Sequence, residues 1–173
     1  MRNSAGCVVW IAGRPSSGKS TLASAVRREL ARRGVPCVVL DGDVVRREIT
    51  PQLGYSPEDR DTFYATLARL AALLSSQGLI VVVAATASQG TYRRAARALV
   101  PAFVEVLVDT PLEECERRDD KGLYALARQG SVAHLPGVHG CAFEETTEVD
   151  VTARGGRDAS AVERIVHRVM ETQ

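Results

Sequence analysis

The sequence predicts an α/β fold in three layers, with a mainly parallel sheet of about five strands and helices on both faces. Three observations predict it. Apolar runs of strand length alternate with segments of helical period along most of the chain. Those runs lack in–out alternation, as expected where both faces of a sheet are covered. The glycine-rich stretch Gly13–Ser20 falls between the first strand and the first helix, where parallel sheets form ligand sites beyond their strand ends.

Cys7–Ala12 (CVVWIA) is a buried strand bounded by glycines. Ser20–Arg33 is a helix with Leu22, Val26 and Leu30 on its apolar stripe, ended by Gly34. Pro36–Leu40 is a second strand and Val44–Ile49 a short helix. Thr50–Pro57 carries two prolines and a glycine and forms a loop. Ser56-Pro57-Glu58-Asp59 reads as a helix start, with proline in the first turn and acids at the positive end of the dipole. The helix that follows runs from Glu58 to about Gln77, with Leu67, Leu70, Leu73 and Leu74 on one face and Gly78 as its stop. That face packs either in the core or against a second copy of the chain, so a homodimer is one expectation.

Leu79–Ala84 is the third strand, Tyr92–Leu99 a helix and Phe103–Val108 the fourth strand. Leu112–Arg118 and Gly122–Arg128 are short helices. Ser131–Glu145, rich in glycine and without periodicity, is a loop. Glu148–Thr152 is an edge strand, and Asp158–Met170 a closing helix with Val162, Ile165, Val166 and Val169 inward.

Composition bounds the function. The 173 residues suffice for one domain with its own core, with no linker or repeat. A net charge of +1 provides no field to draw the protein onto nucleic acid or an anionic membrane. Apolar runs fall well short of the roughly 20 residues of a membrane span. Met1–Gly6 lacks the arrangement of a secretory signal, so the expected compartment is the cytoplasm. Cys7, Cys37, Cys115 and Cys141 have no CxxC spacing and read as reduced thiols, two of them in strands. His134, His139 and His167 are dispersed and read as surface or loop residues.

Gly13-Arg14-Pro15-Ser16-Ser17-Gly18-Lys19-Ser20 fits G-x-x-x-x-G-K-[ST] and is followed by Thr21. A triphosphate needs many donors at close range. Glycines let the backbone wrap and aim its N–H groups inward, and the next helix adds its dipole. Lys19 reaches the β- and γ-phosphates of ATP, and the Ser20 hydroxyl ligates Mg²⁺. The fold is therefore of the P-loop NTPase type. Asp41 and Asp43 flank a glycine at the carboxyl end of the second strand. A kinase needs a carboxylate to orient the acceptor hydroxyl or take its proton, and Asp43 is assigned that role. Asp41 positions a Mg²⁺-bound water or caps the next helix. Arg46, one turn on, faces an anionic acceptor.

With these residues in view the chain resembles the adenylylsulfate kinases, which phosphorylate the 3′-hydroxyl of adenylylsulfate with ATP. The resemblance runs from the phosphate loop to about Thr152. It rests on Leu40-Asp-Gly-Asp-Val-Val-Arg46, Leu53-Gly-Tyr-Ser-Pro-Glu-Asp-Arg60, the block Val108–Asp119, and Lys121-Gly-Leu-Tyr124 with Ala127-Arg128. It implies Asp43 as the catalytic acid–base, Arg46 and Arg60 on the phosphosulfate side of the acceptor, and Arg117 against the ATP adenine. It also implies a mobile lid around 119–145 whose Lys121 and Leu123 lie on the acceptor, followed by Phe143-Glu144 where the family has Tyr-Glu.

Departures gather on the acceptor side. The family's asparagine and further arginine after Arg60 are replaced by Phe63, Ala65 and Thr66. Its Phe-Ile-Ser-Pro is Thr86-Ala87-Ser88-Gln89, with a small insertion before Tyr92. The lid's Asp-Pro-Lys is Asp119-Asp120-Lys121, and two lysines are Ala125 and Leu126. The aromatic wall lost at Thr86 is expected from Phe63 on the opposite side, and Ser88 remains as an acceptor contact. Three readings fit: an adenylylsulfate kinase, a sister kinase acting on another anionic nucleotide-type acceptor such as cytidine diphosphoramidate, and a nucleotide-binding subunit without turnover. Lys19, Ser20 and Asp43 are all present, which weighs against the third.

Overall fold

Cys7–Gly13 (β1), buried along its whole length, is the central strand of a five-stranded, all-parallel sheet. The computed structural model describes residues 6–132, 135–138, 141–144 and 148–172. His134, His139 and part of the Ser131–Glu145 loop lie outside the described residues.

Lys19–Arg32 (α1) buries Leu22, Val26 and Leu30, as the stripe predicts, together with Ala23. Gly34, at φ 75, turns the chain out of it. Cys37–Asp41 (β2) and Gly42–Glu48 (α2) follow. Pro57–Ser75 (α3) starts on a Ser56 side chain that accepts the Asp59 N–H, with proline in the first turn. Its buried face differs from the leucine face expected: it is Phe63, Tyr64, Leu67, Ala68, Ala71 and Ser75, while Leu73 is 59% exposed and Leu70 and Leu74 are half-buried. Alanines at 68 and 71 let the helix approach the sheet closely, and that contact sets its rotation.

Ile80–Ala84 (β3), Gly90–Arg97 (α4) and Phe103–Val108 (β4) come next, then Leu112–Arg117 (α5) and Leu123–Arg128 (α6). Val151–Ala153 (β5) is the edge strand, and Ala159–Glu171 (α7) closes the chain. The edge strand starts three residues later than expected. Asp150 donates its N–H to the Glu105 carbonyl at 2.9 Å and uses its carboxylate on the Glu105 N–H, while Glu148 gives its carbonyl to Arg97, so side-chain contacts replace part of the ladder before Val151.

Sheet order is β2-β3-β1-β4-β5. One apolar cluster packs α1 and α7 against Cys7, Val9 and Ile11; the other packs α3 and α4 against Val8, Trp10 and Ala12. Each fully buried side chain of this size contributes roughly 1.5–3 kcal/mol. A third cluster, with Cys115, Tyr124 and Ala127 at its centre, joins α5 to α6. Cys7 and Cys37 lie in strands, and His167 is exposed beside Glu171, both as expected. Among the described residues no helix is long and apolar enough to cross a membrane.

Candidate active site

All five strands point their carboxyl ends to one side of the sheet. There a cleft of about 1560 Å³ opens between the phosphate loop, the start of α2, the Tyr55–Phe63 region, α5 and the turn after β5. Single-ligand pockets hold about 300–1,000 Å³, so this cleft has room for two substrates.

The loop between β1 and α1 presents Pro15, Ser16, Gly18, Lys19, Ser20 and Thr21 to the cleft, while Gly13, Arg14 and Ser17 do not line it. Thr110 Oγ1 donates to the Ser17 carbonyl at 2.8 Å and braces the loop from β4. Gly18 sits at φ 102, and a Cβ there would lie 2.7 Å from the Gly156 nitrogen. The turn after β5 is thus seated directly on the loop. Lys19 Nζ donates to the Arg14 carbonyl at 2.7 Å. Burial lowers its pKa to about 8, outweighing the nearby Asp43 and Asp41.

Ser20 Oγ donates to Asp41 Oδ2 at 2.5 Å, while Asp41 Oδ1 accepts the Asp43 and Val44 N–H groups. Asp41 therefore caps α2 and faces Ser20 at once. The two oxygens are a hard donor pair of the kind that suits Mg²⁺. Asp43 is exposed and meets Lys121 Nζ at 2.7 Å, and this contact raises the lysine's pKa.

Among the residues expected on the acceptor side, the Arg46 guanidinium carbon stands 3.9 Å from the Phe63 ring centre and 4.6 Å from that of Tyr55, with Nη1 on the Gly54 carbonyl at 2.6 Å. Arg60 Nε donates to the Tyr55 carbonyl at 2.9 Å. Phe63 borders the cleft but is only 3% exposed. Its ring supports Arg46 instead of offering the free stacking wall expected of it. Ser88 is buried outside the cleft lining, and its carbonyl accepts the Glu144 N–H. The structure does not bring it to the cleft. Arg117, expected at the adenine, reaches the cleft with its guanidinium held by Glu114, and Leu123 also lines it.

The loop after β3 is fixed from two sides. The Ala87 N–H donates to the Tyr64 hydroxyl at 2.9 Å. Arg93, 1% exposed, donates to Glu105 at 3.0 Å and to the carbonyls of Ala87 and Glu144. Glu144 in turn accepts the Gly90 N–H at 2.7 Å.

Sequence reading missed the turn after β5, which adds Arg154, Gly155, Gly156 and Arg157 to the cleft. Its signal was two glycines between arginines just past a strand's carboxyl end, the rule that located the other clusters.

The family model for adenylylsulphate kinase matches residues 5–154. The chain belongs to the adenylylsulfate kinase family. An adenylyl-sulfate kinase of Paraburkholderia xenovorans is 47% identical over 134 residues, covering 77% of this chain and 75% of the relative. One from Picosynechococcus is 37% identical over 166 residues, covering 96% and 92%. The structure of the Mycobacterium tuberculosis APS kinase CysC in complex with AMPPNP and APS superposes with a TM-score of 0.82 at 34% identity, covering 97% of each chain. In this adenylylsulfate kinase family member the phosphate loop and the Asp41/Asp43 pair line one cleft. Phe63 and Thr86, where it departs from the family pattern, line the same cleft.

Proposed function

We propose that the chain is an ATP-dependent kinase that transfers the γ-phosphoryl group of ATP to the 3′-hydroxyl of adenylylsulfate, giving 3′-phosphoadenylylsulfate. The observation that carries this reading is one cleft lined both by the phosphate loop and by an exposed Asp43.

In this reading the loop N–H groups and Lys19 bind the triphosphate, Lys19 leaving the Arg14 carbonyl to do so. Arg117, oriented by Glu114, stacks on the adenine. Arg46, Arg60 and Lys121 hold the acceptor's anionic groups and offset the repulsion between two polyanions. Lys121 leaves Asp43 as the acceptor enters. The 3′-oxygen then attacks the γ-phosphorus, its proton passes to Asp43, and the bond to the β–γ bridging oxygen breaks. Ser20 and Asp41 would hold magnesium, Asp41 directly or through water; the ion supplies charge neutralisation at the β- and γ-phosphates. Lys121–Arg128 acts as part of a closing lid that excludes water. The reaction is placed in the cytoplasm.

A second reading keeps the donor chemistry and changes the acceptor. It is favoured by Phe63, an apolar ring under Arg46 where the family has a hydrogen-bonding side chain. An ADP-release assay over a panel with adenylylsulfate, cytidine diphosphoramidate and other anionic nucleotides decides between them. Turnover with adenylylsulfate is the expected outcome; saturating ATP with no response to it, but response to another acceptor, selects the second.

A further inference from the structure

We propose that the Tyr124 hydroxyl is a positioning group for the phosphate loop, holding the Pro15–Ser16 peptide so that the Ser16 N–H faces a bound triphosphate. The proposal rests on reading the cleft as a nucleotide site.

Arg14–Ser17 closes as a β-turn, with the Ser17 N–H donating to the Arg14 carbonyl at 3.2 Å. Pro15 is second in the turn and Ser16 third, and Ser16 has φ 59. Proline second and positive φ third are the signature of a type II turn. Types I and II differ by a flip of the peptide between those two residues. The third place of a type II turn normally takes glycine, because left-handed backbone is disfavoured for residues with a Cβ. A serine there would relax to type I unless the flipped peptide were held.

Tyr124 supplies the hold. Its hydroxyl donates to the Pro15 carbonyl at 2.9 Å. Its ring is 2% exposed within the α5–α6 cluster, and its N–H donates to the Asp119 carboxylate at 2.8 Å, so the hydroxyl is fixed in place. A trans peptide puts its N–H and C=O on opposite edges. A Pro15 carbonyl held toward α6 therefore turns the Ser16 N–H away from α6. Ser16 lines the cleft and Tyr124 does not. Three residues before Tyr124, Lys121 meets Asp43 at 2.7 Å. One short piece of chain thus touches the acceptor-side carboxylate and the donor-side loop, and its placement sets both.

The test is calorimetric binding of AMPPNP in the presence of magnesium chloride. Tyr124→Phe keeps the ring and removes the donor. It is expected to weaken binding roughly fivefold, the effect of one net hydrogen bond, and to lower Tm by about 2–4 °C because the same bond is lost from the unliganded fold. Adding Ser16→Gly to Tyr124→Phe is expected to restore affinity to within about twofold of the parent, since glycine holds the third turn position unaided. A packing role for Tyr124 would not be rescued in this way. Unchanged AMPPNP affinity in Tyr124→Phe overturns the proposal, as does a loss that Ser16→Gly leaves in place. AMPPNP binding by the parent protein is the separate check on the kinase reading; its absence overturns that reading and this proposal together.

Discussion

Lys19 sits where loss of hydration outweighs the attraction of Asp43 and Asp41, so its ammonium titrates near pH 8 instead of 10.5. Its folded-state pKa is depressed. Between these values the folded chain binds fewer protons than the unfolded one, so Lys19 favours folding above the unfolded pKa, and that contribution is lost as pH falls through 8. A triphosphate in the loop restores the charged form. At pH 8, AMPPNP binding should take up about half a proton, measured by calorimetry in buffers of differing ionisation enthalpy. Binding that moves no protons would remove Lys19 from the phosphate site. Asp43→Asn should lower kcat by about 10²–10⁴-fold while AMPPNP affinity persists; turnover at parental rate would end the acid–base assignment. Phe63→Leu keeps an apolar side chain beneath Arg46 but removes the ring. It should raise the acceptor KM by roughly 2- to 30-fold through the lost cation–π contact, leaving the ATP KM alone. Equal changes in both KM values would mean that Phe63 acts on the cleft at large.

At the scale of elements, the turn after β5 is joined to the phosphate loop with no space between them. A Cβ on Gly156 would lie 2.5 Å from the Gly18 carbonyl oxygen and 2.8 Å from Thr21 Cβ. Gly156→Ala should push the turn off the loop, costing about 1–3 kcal/mol in urea unfolding and weakening AMPPNP binding as well. An alanine variant with unchanged stability and affinity would show that the turn yields freely. Most elements were legible because β1, β3 and α1 carry simple patterns: unbroken apolar runs, or leucine and valine at helical spacing. The face of α3 was less so. Its leucines are its largest apolar residues, yet small Ala68 and Ala71 face the sheet and Leu73 faces solvent. Residue size does not reveal how closely a helix can approach.

Across the whole molecule, Arg93 and Glu105 link α4 to β4 in a buried ion pair and carry the loop after β3 and Glu144 with them. Arg93→Met takes the closer guanidinium from the buried Glu105 carboxylate and leaves Arg97 beside it at 3.4 Å. The expected cost is about 3–5 kcal/mol, read as a lowered urea midpoint; a midpoint within error of the parent would show that Arg97 compensates fully. Glu105 is one acid within the apolar run FVEVLV, but its partner lies on another element, and pairing across elements leaves no local pattern. The phosphate loop was legible because it is one contiguous segment. The Arg46 sandwich draws on α2, the Tyr55 loop and α3, and only the folded chain brings these together. The order of the sheet also governs when the protein can first work. β1 leaves the ribosome before its hydrogen-bonding neighbours, residues 80–84 and 103–108. Such distant pairings form late, because long loops must close before any ladder bond rewards them. The phosphate loop is thus translated well before the two strands that flank β1, and it acquires its shape only once they have followed.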